Sequence, residues 1–275
     1  MDSISRRSWR RPDSTTVVFL LLAALIVMFI AWPLIKTVTS SSPTTLWDTL
    51  RDSGVYYSIL LTIWAGVLAT LFGILMGVPL AYLLARHEFR GKKFFEALID
   101  VPIVIPHSAA GIALLFVFGS KFFLGGVFGS MGISFVDAVA GIVIAMMFVS
   151  VPFLIDSARD GFKSVDVRLE KVARSLGASP WRVFFRVTLP LSWRSIFSGS
   201  VMMWARAVSE FGAILILAYH VPFLGEHPAV APILVYERFS SFGLDYARPV
   251  AILVILISLV AFVILRMLAF RSRKA

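Results

Sequence analysis

Two groups of residues in this sequence are placed to do chemistry. Arg206 and Glu210 stand four residues apart in the stretch Arg194–Ala218, whose interior carries no other charge. At 1.5 Å per residue they lie about 18–24 Å along a helix. A charge in lipid is costly, so such residues face protein or water, and the four-residue spacing lets the pair neutralise itself on one helix face. Two readings stand at this point. The pair is a structural fastener between helices, or Arg206, Ser209 and Glu210 line an anion pathway or gate.

The second group is Arg168–Pro190, RLEKVARSLGASPWRVFFRVTLP, too charged to lie in lipid and too apolar to float in water. Leu169, Val172, Ala173 and Leu176 repeat at the spacing of one helix face. Gly177 sits where a left-handed C-terminal cap belongs. Ser179 is a natural N-cap and Pro180 a natural first helical residue, so a second helix begins at once. Trp181, Phe184, Phe185 and Leu189 share its apolar face, and Pro190 is expected near its end. A helix, a tight turn and a helix of this composition call for a docking partner.

Other chemistry is not visible. The chain has no cysteine, no G-x-x-x-x-G-K-[ST] phosphate loop and no H-E-x-x-H, G-x-S-x-G or zinc-ligand spacing. The Gly125, Gly126 and Gly129 cluster is therefore not a phosphate loop, and this chain cannot by itself hold ATP in a P-loop. No cofactor or metal is expected in it. His107 reads as a satisfied polar group rather than a proton relay. His220 and His227, and the acidic residues Glu226, Glu237 and Asp245, read as solvated or as partner contacts.

The elements that must position these groups are membrane spans. The 275 residues are 59% apolar, with a mean hydropathy of +0.88, the composition of a polytopic membrane protein. Six runs are long enough, at about 17–35, 55–85, 94–118, 138–155, 194–218 and 249–265, so the expected fold is all-α with six spans in one domain. Between spans four and five lies the 159–193 insert. The second run is longer than a bilayer needs, so tilt or a kink at Pro79 is expected. Pro102, Pro106, Pro152 and Pro222 are expected to bend helices. Lys36–Gly54, Lys121–Asp137 and Tyr219–Arg248 read as loops.

The charge of +10 is placed by membrane topology rather than by nucleic acid. Twenty of the 26 Lys and Arg fall in the N-terminal tail, the Arg86–Lys93 loop, the Arg159–Arg194 insert and the tail from Arg266. Lys- and Arg-rich loops stay cytoplasmic, so both termini and the insert are assigned to the cytoplasm of a cell membrane protein. The Ser5–Arg10 segment superficially matches a twin-arginine signal, but the apolar run behind it lacks a cleavage site and reads as an uncleaved span.

The insert resembles the cytoplasmic signature loop of permease subunits of binding-protein-dependent ABC importers, written E-A-A, three residues, G, nine residues, I-x-L-P. From Gly177 the nine-residue gap leads to Val187, Thr188, Leu189 and Pro190. The opening departs: Lys171 and Val172 hold the first two positions, Ala173 matches, and Glu170 is one residue early. Ala205–Ala213, ARAVSEFGA, is similar to the A-R-A-x-G-E-F-G-A segment of molybdate and tungstate permeases, with Ser209 in place of the usual Gly. Sulfate permeases carry a related segment. Ile99–Pro106 and Val78–Arg86 resemble the L-P-L-V-L-P and G-x-P-L-A-Y-L-L-A-R segments of the same group.

This resemblance implies a type I importer fold and ATP-driven import of a tetrahedral oxyanion, molybdate or tungstate, by alternating access. Implied partners are two ATPase subunits, an external substrate-binding protein and a second permease, with a homodimer expected from a single permease type. Nucleic acid is not among them. It further implies that the ATPase docks on the insert, at Glu170, Lys171, Ala173, Gly177, Ala178, Ser179 and Pro180. Permeases for sulfate, other anions or ferric iron are the near alternatives. An ATP-independent secondary transporter is the distant one, and the docking insert argues against it.

Overall fold

The computed structural model describes residues 13–271 and is mainly helical, with no strand among the described residues. The Ser5–Arg10 segment and the last four residues of the basic tail lie outside that range. In chain order the helices are α1 (Ser14–Val38), α2 (Pro43–Arg51), α3 (Ser53–Arg86), α4 (Lys92–Val104), α5 (His107–Phe118), α6 (Phe123–Ser130) and α7 (Val139–Ser164). There follow α8 (Val167–Ser175), α9 (Pro180–Val183), α10 (Leu189–Val208), α11 (Gly212–Leu217), α12 (Ala231–Phe242) and α13 (Leu244–Arg271).

Four of these, α1, α3, α7 and α13, are long and apolar enough to cross a bilayer, and a fifth crossing results if α4 and α5 count as one. The sixth expected run is a more polar helix, α10, followed by the short α11. The three segments read as loops are partly helical: α2, α6 and α12 lie in them. Each is too short or too polar to stand out as a span, and the start of α2 follows ordinary capping logic. Ser42 accepts from the Thr45 N–H at 3.2 Å and Pro43 opens the helix.

The core forms around α7, which packs along both α3 and α10. More than half of its most apolar stretch is buried. Met146, Leu154 and Phe162 of α7 are fully enclosed, together with Leu61 and Leu84 of α3 and Ile196 and Met203 of α10. Without a solvophobic drive between helices in lipid, such contacts depend on close packing and interhelical hydrogen bonds. Ser157 of α7 supplies one, donating to the Ser195 carbonyl of α10 at 2.8 Å. A smaller cluster joins Val55 and Ile59 of α3 to Ala231 of α12 and to Val250 and Leu253 of α13. Helix α1 has no buried residue and stands outside this bundle.

Two expected spans are broken. The 94–118 run turns through 116° between α4 and α5. The turn falls at Pro106, whose ring forces Ile105 into extended backbone (φ −72°, ψ 146°) and ends α4. Pro33, Pro79, Pro102 and Pro152 remain inside helices. The 194–218 run stops at Val208 and restarts at Gly212. Irregular backbone at membrane depth survives only where it is buried in protein or lines a cavity, so the two breaks mark where a site can lie.

Candidate functional site

The insert is built as its capping residues dictate. Asp166 accepts from the Arg168 N–H at 2.9 Å and starts α8. Gly177 ends it with φ +85°, and the Ala178 N–H closes back on the Ala173 carbonyl at 3.1 Å. Ser179 then accepts from the Arg182 N–H at 3.4 Å and Pro180 opens α9.

The second helix does not end near Pro190. It runs through a π-helical turn, Phe184–Thr188, directly into α10, so the insert and the Arg206-bearing helix are one rod. Pro190 lacks an N–H and its ring crowds the carbonyl four residues back. The wider turn just before it lets the helix continue, with the Leu189 N–H reaching the Phe184 carbonyl.

The expected single apolar face is divided in two. Phe184 turns inward against Tyr82 of α3, ring centroids 4.9 Å apart, and Val183 is buried. Trp181 and Phe185 turn outward as a stacked pair 5.8 Å apart, beside exposed Leu169, Val172 and Leu176. Of the residues assigned to docking, Lys171, Gly177, Ser179 and Pro180 are exposed and Ala173 and Ala178 are half-buried.

Glu170 faces the other way. Its carboxylate accepts from Arg86 Nε at 2.8 Å and from the Thr188 hydroxyl at 2.9 Å. Arg86 Nη2 also donates to the Val165 carbonyl at 3.1 Å. One buried carboxylate thus ties α8 to the end of α3 and to the π turn that leads into α10. Glu170 braces the insert from its inner side.

The second site lies where the two broken spans meet. Arg206 is in the last turn of α10 and Glu210 in the gap before α11, so the pair ends a helix rather than sitting inside one. Arg206 Nη2 donates to Glu210 Oε2 at 2.8 Å, and Glu210 Oε1 accepts from the Ala213 N–H at 2.9 Å. Glu210 is 1% exposed, whereas Arg206 is partly open. Ser209, where the similar segments have Gly, accepts from Arg206 Nη1 at 3.3 Å and donates to the Arg206 carbonyl at 2.9 Å.

His107, the first residue of α5, completes the cluster. Its Nδ1 is 3.2 Å from Glu210 Oε2 and its Nε2 is 2.9 Å from Arg206 Nη2. Arg206 Nη2 is also 3.0 Å from Nδ1, so the guanidinium lies against both ring nitrogens while the carboxylate sits beside one of them. Close packing of α5 on α11 brings it there. A Cβ at Gly212 would meet the His107 Cβ at 2.8 Å, so only glycine permits this approach. An open cavity of about 480 Å³ adjoins the cluster, with Ser108 and Ser209 on its wall. His107, read from the sequence as a satisfied polar group, finds its partners in Arg206 and Glu210. Its position directly after the Pro106 break is the available signal.

Elsewhere, Arg159 of α7 lies 3.5 Å from Glu96 of α4 and 3.0 Å from Asp156. On the segment after α11, a hydrogen bond to Glu237 pushes the Tyr219 phenol up to about 12. Glu237 is also 3.3 Å from His220, so these polar residues of the last connection pair with one another.

Comparison with known proteins agrees with this architecture. The family described as binding-protein-dependent transport system inner membrane component matches residues 73–274. The molybdate/tungstate transport system permease protein WtpB of Pyrococcus furiosus is 46% identical over 96% of this chain and 99% of its own length. Its namesake in Methanocaldococcus jannaschii is 43% identical over 93% and 96%. A probable sulfate transport system permease of Chlorokybus atmophyticus is 32% identical over 78% and 73%. Among solved structures, a bacterial ABC transporter involved in the import of alginate superposes with a TM-score of 0.71 at 19% identity, over 94% of this chain and 96% of that one. The fold is that of a type I ABC importer permease. With the insert, the broken spans and these matches in place, the chain belongs to the family of inner membrane components of binding-protein-dependent transport systems.

Proposed function

We propose that this chain is the permease of an ATP-driven importer that carries a tetrahedral oxyanion, molybdate or tungstate, into the cytoplasm by alternating access. The observation that carries the reading is the near full-length similarity to molybdate/tungstate permeases, through both the insert and the Arg206–Glu210 segment. ATP binding draws two copies of an ATPase subunit together. The stacked Trp181–Phe185 pair and the exposed face of α8 seat in a cleft of that subunit. Because α9, the π turn and α10 are continuous, movement of the insert passes along one rod to the membrane cluster. Arg206, Ser209 and Glu210 line the pathway or its gate, at the break that this rod ends on.

The working assembly is a homodimer of this chain with an external binding protein above it, and both termini and the insert lie in the cytoplasm. The binding protein delivers the anion when the path opens outward, and hydrolysis resets it. The subunit needs no cofactor of its own and is not an enzyme, since the nucleotide sits in its partner. A large exposed apolar patch on an otherwise basic insert is an interaction surface, which a secondary transporter has no use for.

The test is purification of the tagged chain in mild detergent, followed by ATP hydrolysis with and without molybdate-loaded binding protein. Co-purification of an ATPase whose turnover responds to the loaded protein is the expected result. Stimulation by sulfate-loaded and not molybdate-loaded binding protein would move the substrate to sulfate. A chain that purifies without any nucleotide-binding partner overturns the reading.

A further inference from the structure

We propose that the Arg206–Glu210–His107 cluster is an oxyanion exchange site, in which Glu210 holds Arg206 as a built-in stand-in for the transported anion and releases it when a tetrahedral dianion enters the adjoining cavity. This rests on the oxyanion-permease reading and adds to it the ligands and the order of events.

Three observations carry it. First, the carboxylate has partners to keep. Glu210 Oε1 stays on the Ala213 N–H at 2.9 Å, and Oε2 lies 3.2 Å from His107 Nδ1. A buried charge stripped of all partners is prohibitive, but Glu210 loses only one of three when Arg206 turns away. His107 is thus a positioning residue, holding the carboxylate while the guanidinium is exchanged.

Second, the cavity presents a partly exposed cation, with Glu210 and His107 on the same lining. Arg206 is partly exposed there, with Nη1 on the Ser209 hydroxyl at 3.3 Å, and Ser108 and Ser209 are among the lining residues. A planar guanidinium fork, braced by the Ser209 hydroxyl, matches oxygens arranged around a central atom. The cavity, at about 480 Å³, has room for such an ion with part of its water.

Third, the charge balance suits passage rather than storage. Arg206 and Glu210 neutralise one another at rest, 2.8 Å apart. A conduction site must bind well enough to admit an ion and weakly enough to let it go. Glu210 sets that limit, because a dianion on Arg206 is repelled by the carboxylate it has displaced. The rod from the insert carries Arg206 in its last turn and Glu210 lies beyond its end, so the same movement that opens the path also moves the guanidinium relative to Glu210.

The experiment uses the permease co-purified with its ATPase in lipid nanodiscs without binding protein. It measures molybdate retained at equilibrium dialysis beside ATP-driven molybdate uptake in vesicles. Glu210→Gln is expected to tighten molybdate retention about tenfold or more, since a like charge is removed from the site, and to slow uptake. Arg206→Gln is expected to abolish both. Ser209→Ala, a change on an exposed residue that leaves the pair intact, is expected to weaken retention several-fold with assembly unchanged. If all three variants assemble and retain molybdate as the wild type does, the exchange site is refuted and the cluster is a helix fastener. If Glu210→Gln fails to assemble, unchanged retention in Ser209→Ala refutes it alone. If the wild-type complex shows no ATP-driven molybdate uptake, the importer reading itself has failed, an outcome distinct from either.

Discussion

Replacing Glu170 with alanine is expected to unseat the insert while leaving the membrane bundle folded. The carboxylate holds Arg86 and the Thr188 hydroxyl, and the two charged side chains are only 8% and 11% exposed. The alanine variant strands the Arg86 guanidinium beside the Val165 carbonyl alone, 3.1 Å away. Removing one member of a buried pair costs roughly 3–5 kcal/mol. At about 1.4 kcal/mol per factor of ten, the seated arrangement loses roughly two to three and a half orders of magnitude in its equilibrium. The loss falls on the seat because the pair joins α8 to the ends of α3 and α10, whereas the bundle core around Met146, Leu154 and Phe162 is untouched. The assay is ATP hydrolysis and molybdate uptake by the reconstituted complex, with loaded binding protein added or omitted. Hydrolysis should persist but stop responding to the binding protein, and uptake should fall at least tenfold. Changing both Arg86 and Glu170 to leucine should restore assembly stability, because a buried pair replaced by apolar groups is close to neutral. Wild-type uptake in Glu170→Ala would refute the claim that this pair transmits the movement.

Other variants test other links. Gly177→Val forces a β-branched residue to φ +85°, at a cost of roughly 1–2 kcal/mol. Since a Cβ there meets no atom within 4 Å, the loss is conformational, and Gly177→Asn should keep coupling where Val loses it, as ATPase stimulation would show. Gly212→Val places side-chain atoms where the His107 Cβ sits 2.8 Å from the ideal Cβ position, so α5 must leave α11 and uptake should be lost with the protein still in the membrane. Trp181→Ala removes a side chain that is 73% exposed, so thermal stability should change by no more than about 0.5 kcal/mol while ATPase co-purification drops. The Tyr219 phenol is held up at about 12 by Glu237, so its contribution is complete below the ordinary tyrosine range and lost as pH rises through 12. Ultraviolet titration should therefore show more tyrosine ionised at pH 11 in Glu237→Gln than in the wild type.

Much of this protein is legible in one dimension because its strongest constraints are local. Runs of apolar residues define spans, since the backbone in lipid must satisfy its own hydrogen bonds. The turn at Gly177, Ser179 and Pro180 follows from which residues tolerate left-handed backbone and which cap a helix. The four-residue spacing of Arg206 and Glu210 allows their pairing, and the 2.8 Å contact is there. The helices hidden in the expected loops were less legible, being too short or too polar to show a span-length pattern.

What only the tertiary structure decided is where broken elements meet. Pro106 announces a bend, but its 116° turn depends on what α5 packs against. Nothing in the spacing of His107 and Arg206, 99 residues apart, places an imidazole 2.9 Å from a guanidinium. That contact exists because Gly212 lets two helices touch. The direction of Glu170 was likewise undetermined by its helix, which offers one face to a partner and another to the bundle. Arg86 and Thr188, one 84 residues before it and one 18 after, draw it inward. Local backbone chemistry wrote the spans and the turn. Long-range packing, which sequence spacing does not encode, assembled the site.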